Sequence, residues 1–216
     1  METILSETEI RVLGCLVEKE YTTPDYYPLT LNSLVHACNQ KSNRDPVVNY
    51  DETTVEKALR GLQEKNLSLT EYLEAGTRVL KYGNRFADHF KLSRGETAIL
   101  CELMLRGPQT PGELHSRAER MCPISSLNDV MEILKKLTVR TPPLIAYLPR
   151  QPGRKEIRYT HLFSGEPQPA EAAESGGASL QERIEALEKS NSELAGRIEA
   201  LEKEIGELKG GTGNTG

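Results

Sequence analysis

The chain has 216 residues, a formal net charge of -5, no tryptophan and few aromatic residues. This length accommodates two small domains and an appended segment. No apolar run approaches the roughly 18 residues that a membrane span requires, and the acidic start Met1-Glu2-Thr3 lacks the basic region of a signal peptide. We therefore expect a cytoplasmic protein with no membrane partner.

The charge is distributed unevenly along the chain. Residues 1–90 carry 10 lysine and arginine residues against 14 acidic ones, whereas residues 91–163 carry 12 against 7. Charge at this level indicates the kind of partner rather than the fold. The basic middle segment therefore points to an anionic ligand, although the same surplus would also serve simply to keep a domain soluble.

Cysteine and histidine spacing gives no sign of a metal site. The cysteines contain no C-x-x-C pair and mostly lie in apolar helical patterns, which is typical of reduced core thiols; they are Cys15, Cys38, Cys101 and Cys122. The histidines do not cluster at zinc-ligand spacing. There is no glycine-rich phosphate loop, G-x-S-x-G or H-E-x-x-H motif. We expect no metal, no cofactor and no enzymatic activity.

A helix start recurs at an offset of 87 residues. Ser6 with Glu9 forms a capping box that opens an amphipathic helix, and Ser93 with Glu96 repeats it. This repetition predicts two copies of one structural unit.

Second and third helices follow in both copies. Thr30 and Thr110 are the predicted caps of the second helices. Asp51 is the predicted cap of the first copy's third helix, and Ser125 or Ser126 is that of the second copy's. The residues predicted to face inward from the third helices are Val55, Leu59 and Leu62, then Val130, Leu134 and Leu137.

Extended segments follow each third helix. They are residues 67–73 and 78–82 in the first copy, and residues 144–148 and 156–160 in the second. Each pair has glycine in the intervening turn, as in a β-hairpin. Three helices followed by a hairpin is the order of a winged helix. The predicted fold is mainly α with small β wings: two tandem winged-helix (helix-turn-helix) domains, at residues 1–90 and 91–163.

The C-terminal segment has a different character. Residues 164–179 are rich in Pro, Gly and Glu, which predicts a flexible linker, and residues 210–216 should form a disordered tail. Residues 180–209 contain a heptad pattern with leucine at d and mostly isoleucine at a, which favours a parallel dimeric coiled coil. The predicted dimerisation residues are Leu180, Ile184, Leu187, Asn191, Leu194, Ile198, Leu201, Ile205 and Leu208.

Charges and the one polar a residue support self-pairing of this segment. Asn191 would meet its own copy across the seam and fix register and strand number. All three predicted g-to-e pairings join opposite charges, for example Arg183 with Glu188. The alternative, a single solvated helix, leaves an apolar stripe uncovered. The first expected partner is therefore a second copy of the chain, in a homodimer.

The string ACNQKSNRDPV, within the stretch Tyr27 to Val47, together with SETEIRVLGCLVEKE near the start, resembles the YceH-like family of bacterial proteins. The resemblance covers residues 1–163 and implies a tandem winged-helix fold. It implies almost no biochemistry, and the predicted coiled coil lies outside it.

The two predicted third helices differ in their exposed charges. In the first domain the helix and its wing mix both signs, which disfavours contact with phosphates. The second domain has basic residues near its second helix, at the end of its third helix and along its wing, with one amide placed to read a base edge. The candidate DNA-binding residues are Arg117, Arg120, Asn128, Lys135, Lys136, Arg140, Arg150, Arg154, Lys155 and Arg158. The alternative is a solvated basic face.

The loop between the second and third helices of the first copy is rich in amides and hydroxyls. Lys41 and Arg44 are candidates to contact a phosphate, or the loop binds a protein partner. Alternatively its polar residues only cap and brace the loop. The loop residues are Asn39, Gln40, Lys41, Ser42, Asn43, Arg44, Asp45 and Pro46.

Two functions follow from these observations. The leading hypothesis is a dimeric winged-helix DNA-binding protein, regulatory in type, that contacts double-stranded DNA mainly through its second domain. The alternative is a protein-interaction adaptor whose winged helices, the first domain included, bind proteins without direct DNA contact. Fold alone does not choose between them.

Overall fold

The structure, a computed structural model, describes residues 4–72, 79–148 and 156–165. Within these ranges are seven α-helices, one short 3-10 helix and two small antiparallel sheets. This mixed architecture, mainly helical, is consistent with a winged-helix-like fold. The predicted coiled coil at residues 180–209, all of its dimerisation residues, the tail and nearly all of the predicted linker lie outside the described residues.

Each half of the described chain has three main helices followed by a hairpin. The elements of the first half are α1 (Glu7–Thr22), a 3-10 helix (Pro24–Tyr26), β1 (Leu29–Thr30), α2 (Leu31–Asn39), α3 (Glu52–Glu64), β2 (Ser68–Tyr72) and β3 (Leu80–Asn84). A short helix, α4 (Phe86–Phe90), connects the halves. The second half contains α5 (Arg94–Arg106), α6 (Pro111–Ala118), α7 (Leu127–Val139), β4 (Ile145–Leu148) and β5 (Arg158–His161).

The predicted helix starts are confirmed. Ser6 with Glu9 and Ser93 with Glu96 form complete capping boxes, in which the serine oxygen accepts from the glutamate backbone N–H and the carboxylate accepts from the serine N–H. Such boxes satisfy backbone donors that a helix N-terminus otherwise leaves free. Ser126, rather than its neighbour Ser125, caps α7.

The sheets confirm the predicted strand pairings and add one strand, while the intervening turns, residues 73–78 and 149–155, lie outside the described residues. β2 pairs with β3 from Ser68–Asn84 to Tyr72–Leu80, and β4 pairs with β5 from Ile145–His161 to Leu148–Arg158. The sequence gives no sign of β1, which pairs with the other edge of β3. A single bridge between Gln109 and Tyr159 takes the equivalent place in the second half. Two-residue pairings of this kind are too short to produce an alternating pattern.

The core of each half lies where the helical periodicity predicts it. The inward residues of the third helices are buried: Val55, Leu59 and Leu62 in α3, and Val130, Leu134 and Leu137 in α7. A cluster of three phenylalanines, Phe86, Phe90 and Phe163, joins α4 to the end of the second half with edge-to-face or tilted ring contacts.

The two halves pack together as one compact unit through α1 and α5. Gly14 allows the close approach, because a Cβ there would lie 2.8 Å from a Leu105 methyl carbon. The Cys101 thiol, at the position equivalent to Gly14 in the repeat, donates to the Gly14 carbonyl at 3.3 Å. Both helices are therefore buried on nearly all sides, and their few charged residues need partners in the interior.

Candidate functional site

Asn39 closes the loop between α2 and α3 by hydrogen bonds to Tyr50 at its other end. Its side-chain amide donates to the Tyr50 carbonyl at 2.8 Å, and its side-chain oxygen accepts from the Tyr50 N–H at 2.7 Å. Asn43, at φ 53°, adopts the left-handed conformation that asparagine tolerates, and its amide donates to Glu18 at 3.2 Å. The Asn39 contacts join the two ends of the loop, and the Asn43 contact ties its middle to α1.

Arg44 of the same loop points into the protein, and its side chain is 0% exposed. Its guanidinium donates to the two carboxylate oxygens of Glu18 at 2.5 and 3.1 Å and to the Ala37 carbonyl at 2.8 Å. The next residue, Asp45, donates its backbone N–H to the Leu105 carbonyl of the second half at 3.0 Å. The predicted phosphate contact by Arg44 has no support in this geometry, because the side chain does not face solvent.

The outer surface of the loop remains accessible. Lys41, Ser42, Asp45 and Pro46 are exposed, whereas Gln40 folds back to donate to the Ser42 carbonyl at 2.9 Å. The part of the loop open to a partner is therefore its tip, with one charge of each sign.

A second arginine reaches the same carboxylate from the other half. Arg120, in the loop between α6 and α7, pairs with Glu18 and with Glu102, the latter at 3.0 Å. Glu102 lies on α5 and is buried. Two arginines and two glutamates thus form a buried ion network, which we define as Glu18, Arg44, Glu102 and Arg120, between the two halves.

The two carboxylates of the buried ion network differ in pKa. Burial alone would raise the pKa of Glu18, but hydrogen bonds and charge from Arg44 and then from Arg120 lower it to about 2. Burial raises the pKa of Glu102 above its usual range, and Arg120 only partly offsets this. One oxygen of Glu102 has no hydrogen-bond partner in the described part of the chain. Glu18 is the strongly bound anion of the network.

Other predicted DNA-binding arginines of the second half also have partners within the protein. Arg117 pairs with Glu113 and donates to Gln109, and Arg158 donates to Glu113 at 2.8 Å and to the Pro108 carbonyl at 2.9 Å. Arg140 donates to the Phe90 carbonyl at 2.5 Å. Part of the positive charge counted for this segment is therefore used to stabilise the fold.

Three of the predicted residues are exposed on α7. Asn128 lies in the first turn of the helix, and Lys135 and Lys136 lie in its second half. Arg150, Arg154 and Lys155, in the predicted wing, lie outside the described residues.

The exposed side of α7 also carries large apolar side chains. Met131 is 42% exposed and Val139 is 70% exposed, and Tyr147 on β4 is 64% exposed. Leu127 extends the row toward the start of the helix. Met131, Val139 and Tyr147 border a groove of about 430 Å³, which we call the α7 groove; it is lined by Met131, Glu132, Lys135, Thr138, Val139, Tyr147 and Tyr159.

Sequence reasoning missed the α7 groove although a signal was present. Leu127, Met131 and Val139 fall on a spacing of four and eight residues, which places them on one face of a helix. That face is not the one defined by Val130, Leu134 and Leu137. By contrast, no local pattern links Glu18 on α1 to Arg120, because the two lie 102 positions apart.

Two other kinds of site are absent from residues 4–72, 79–148 and 156–165. No group of three or more His, Cys, Asp or Glu side chains is arranged to hold a metal ion there. None of the helices found in these ranges has the length and apolar character to cross a membrane.

The fold, seven helices with small antiparallel sheets in the described residues, is consistent with the class of winged-helix-like proteins. The chain belongs to the family described as "Protein of unknown function, DUF480", whose model matches residues 5–154. The match includes the loop, the buried ion network and all residues that line the α7 groove except Tyr159. The narrower YceH-like assignment and its motif stay a prediction.

Three curated relatives, each called a UPF0502 protein, are similar over most of their length. The relative from Citrifermentans bemidjiense is 57% identical over 173 residues, 80% of each chain. That from Geobacter sulfurreducens is 52% identical over 188 residues, 86% of this chain and 85% of its own. That from Koribacter versatilis is 54% identical over 173 residues, 79% of this chain and 80% of its own.

Proposed function

We propose that this chain is a tandem winged-helix module that binds protein rather than DNA, and that the α7 groove receives an amphipathic helical segment of a partner. The observation that carries the proposal is the apolar outer face of α7. In a DNA-binding winged helix, this third helix is the element that enters the major groove. Here it exposes Met131 and Val139 beside the apolar part of Tyr147.

The charges of α7 support the same proposal. Asp129 and Glu132 balance Lys135 and Lys136 on its exposed side, so the helix adds no net positive charge. Affinity for DNA depends strongly on the number of phosphates that a protein neutralises. A neutral helix with an apolar centre is better suited to a protein surface, where aromatic and methionine side chains are enriched.

The length of α7 and the charges at the rim of the α7 groove indicate the kind of segment that would bind there. α7 has 13 residues and is therefore about 20 Å long at about 1.5 Å per residue. A partner helix of about three turns would cover the row from Leu127 to Val139. The rim carries Glu132 and Lys135, so the occupant should have an apolar stripe flanked by charges of both signs.

The predicted coiled coil at residues 180–209 would pair two such modules, and we propose a homodimer on that basis. Two α7 grooves on one dimer would bind a partner with two such segments more tightly than one groove alone. Deleting residues 180–216 should change the species measured by sedimentation equilibrium from a dimer to a monomer of the shortened chain. An intact chain that sediments as a monomer would refute the dimer without affecting the α7 groove.

The test of the α7 groove is a selection of helical peptides from a displayed library on the full-length protein. We expect enrichment of amphipathic peptides, and at least about tenfold weaker binding of these peptides to a Met131→Lys variant. Glu52→Lys, an exposed change on α3, is the matched control and should retain binding. Failure to enrich any peptide, or equal binding by all three proteins, would contradict the proposal.

DNA binding remains a second candidate, which the exposure of Asn128, Lys135 and Lys136 on α7 favours. The test is the affinity of the full chain for a labelled duplex, measured by fluorescence anisotropy as a function of salt. This candidate predicts saturable binding at low salt that weakens as salt rises, and loss of binding on Lys135→Glu with Lys136→Glu. The protein-binding proposal predicts no such dependence on these two lysines.

A further inference from the structure

One large apolar side chain on the outer face of α7 lies beyond the α7 groove of its own chain. Leu127, in the first turn of the helix, is 49% exposed. It does not line the groove, whereas Met131 and Val139 further along the helix do. Exposed apolar side chains that lie together mark a surface that binds a protein partner. A partner that lies along α7 should therefore cover Leu127 as well as the groove.

The charges at the rim of the α7 groove have a fixed order along the helix. Glu132 comes first and Lys135 follows, and both line the groove. Both residues are exposed, and within residues 4–72, 79–148 and 156–165 neither takes part in an ion pair. The groove therefore presents a negative charge toward the start of α7 and a positive charge toward its end.

This order of charges is complementary to itself when two copies of α7 lie antiparallel. Each Glu132 then faces the partner's Lys135, so both contacts join opposite charges. A parallel pair would instead set each charge against its own copy, and contacts between like charges are unfavourable. The rim charges thus favour a second α7 that runs in the opposite direction.

The apolar residues give the same register. In a pair related by a two-fold axis, residue i contacts residue j and j contacts i, so opposed residues lie equally far from the axis. The midpoint of Leu127 and Val139 is position 133, and that of Glu132 and Lys135 lies between positions 133 and 134. One axis therefore satisfies both pairs, and it brings the partner's Leu127 to the Val139 end of the groove.

We propose that the segment received by the α7 groove is α7 of a second copy of this chain, bound antiparallel, with Leu127 of each copy packed against Val139 and Tyr147 of the other. Because it names the occupant of the same groove, this pairing rests on the proposed function. Each copy supplies one groove and one apolar residue that fills the groove of the other. Neither groove is filled without the partner copy.

The residues nearest the axis fit the same arrangement. Met131, 42% exposed, lies opposite the partner's Lys135 in this register. The aliphatic part of a lysine can cover an apolar side chain while its ammonium group stays at the polar edge, here beside Glu132. Pairing would therefore remove Leu127, Met131 and Val139 of both copies from water without burying a charge.

The pairing should be weak for two separate modules. One 13-residue helix and one four-residue strand form a small contact, below the total of about 1,200 Å² that stable complexes usually bury. The dimer proposed for residues 180–209 would raise the effective concentration of one α7 at the other. Another helical partner would then bind by competing with the second copy for the α7 groove.

The experiment places the photo-cross-linking residue p-benzoylphenylalanine in place of Leu127 in the full-length protein, isolates the cross-linked dimer and maps its tryptic peptides by mass spectrometry. We expect position 127 to be joined to peptide 137–140, which contains Val139. Within one helix every residue of that peptide lies about 15 Å or more from position 127, at about 1.5 Å per residue, so this cross-link joins two copies. The same probe in place of Asn128 should give the same peptide.

Charge reversal tests the register. Each pair of helices contains two contacts between Glu132 and Lys135, so Glu132→Lys or Lys135→Glu alone should lower the yield of this cross-link at least about fivefold. Both substitutions in one chain restore opposite charges and should return the yield to within about twofold of the unsubstituted protein. Glu52→Lys, an exposed reversal on α3, is the matched control and should leave the yield unchanged.

Absence of the cross-link to peptide 137–140 from both probe positions would overturn the pairing, whether or not a charge variant folds. A dimer joined instead through peptide 121–135, as a parallel pair would give, would overturn it too, as would a folded double reversal that does not restore the yield. Peptide selection separates this failure from that of the proposed function. If helical peptides bind the α7 groove while the cross-link is absent, the groove binds a different protein and the second copy is not its occupant.

Discussion

Arg44 and Arg120 occupy the corresponding loops of the two halves, each between the second and third helix, and both bind Glu18. They differ in burial: the Arg44 side chain is 0% exposed and that of Arg120 is 38% exposed. The same carboxylate therefore has one partner that belongs to the interior and one at its edge. Two arginines at corresponding positions of the repeat therefore need not contribute equally to the stability of the fold. The contribution of each depends on how far its side chain is exposed to solvent.

The loops that carry these two arginines also differ in how they contact the rest of the protein. In the first half, Arg44 fixes the loop to α1 and α2. In the second half, Arg120 reaches Glu18 and Glu102 from the loop between α6 and α7, and its side chain stays partly exposed. We therefore expect substitutions in the first loop to change the stability of the fold, and substitutions on α7 to change binding alone.

The largest effect is expected from Arg44→Met. It removes a buried guanidinium, leaves Glu18 with its one remaining arginine, and should lower the free energy of unfolding by about 3–5 kcal/mol. Urea denaturation followed by circular dichroism measures this. Lys41→Met, an exposed change in the same loop, is the matched control and should stay within about 0.5 kcal/mol of wild type. A loss below about 1 kcal/mol for Arg44→Met would contradict the buried role.

Stability should also fall in acid because of Glu18. Its pKa is about 2 in the folded protein, below the ordinary value of 4.5, so the unfolded chain binds more protons between these pH values. The contribution is complete above pH 4.5 and is lost as pH falls toward 2; it should amount to about 3 kcal/mol.

Urea midpoints measured from pH 6 to pH 2.5 test this. Glu18→Gln should be less stable throughout and should show a flatter curve, because the titrating group is gone. Parallel curves for wild type and Glu18→Gln would show that other carboxyl groups govern the acid response.

Arg120→Met should have a smaller effect than Arg44→Met. Solvent screens a partly exposed pair, so we expect a loss of about 1–2 kcal/mol. The loss should shrink in high salt, because salt screens charges near the surface more than buried ones. An effect as large as that of Arg44→Met, and insensitive to salt, would mean that the two arginines are equivalent.

Glu102→Gln should be milder than Glu18→Gln. Burial raises the pKa of Glu102, whereas the arginines lower that of Glu18, so the charged form of Glu102 is stabilised less by the folded protein. We expect a change within about 1 kcal/mol at pH 7, measured by the same urea titration. If Glu102→Gln lowers the free energy of unfolding as much as Glu18→Gln does, the two carboxylates bind the arginines equally strongly.

The smallest effect on stability is expected from Met131→Lys. The side chain is 42% exposed on α7, so the free energy of unfolding should change by no more than about 0.5 kcal/mol. Thermal unfolding with calorimetric detection checks this. A clear loss of stability would disqualify the variant as a probe of the α7 groove.

Local chemistry was predictable from the sequence. The capping boxes at Ser6 and Ser93 depend on residues three positions apart, and the inward faces of α3 and α7 depend on a helical period. Both are confirmed. The β1 pairing and α4 were not predicted, because two and five residues respectively are too few to display a period.

Long-range chemistry was not predictable in the same way. The sequence places Arg44 in a polar loop, where phosphate binding and bracing are equally reasonable, and only the fold shows that α1 brings Glu18 beneath it. Arg117, Arg140 and Arg158 were counted as a basic surface. Glu113 lies four positions from Arg117 on α6, but the Phe90 and Pro108 carbonyls that accept from Arg140 and Arg158 are close to them only in the folded chain. A surplus of charge in a segment therefore overstates the charge available to a ligand.

The central claim, that α7 binds a protein segment through its apolar row, is tested most directly by calorimetric titration of one selected amphipathic peptide. The titration compares wild type with Met131→Lys and with Lys136→Glu, which changes a charge on the same helix. We predict at least about tenfold weaker binding for Met131→Lys, about 1.4 kcal/mol, and less than about twofold change for Lys136→Glu. Unchanged binding by Met131→Lys, with loss on Lys136→Glu, would contradict the claim.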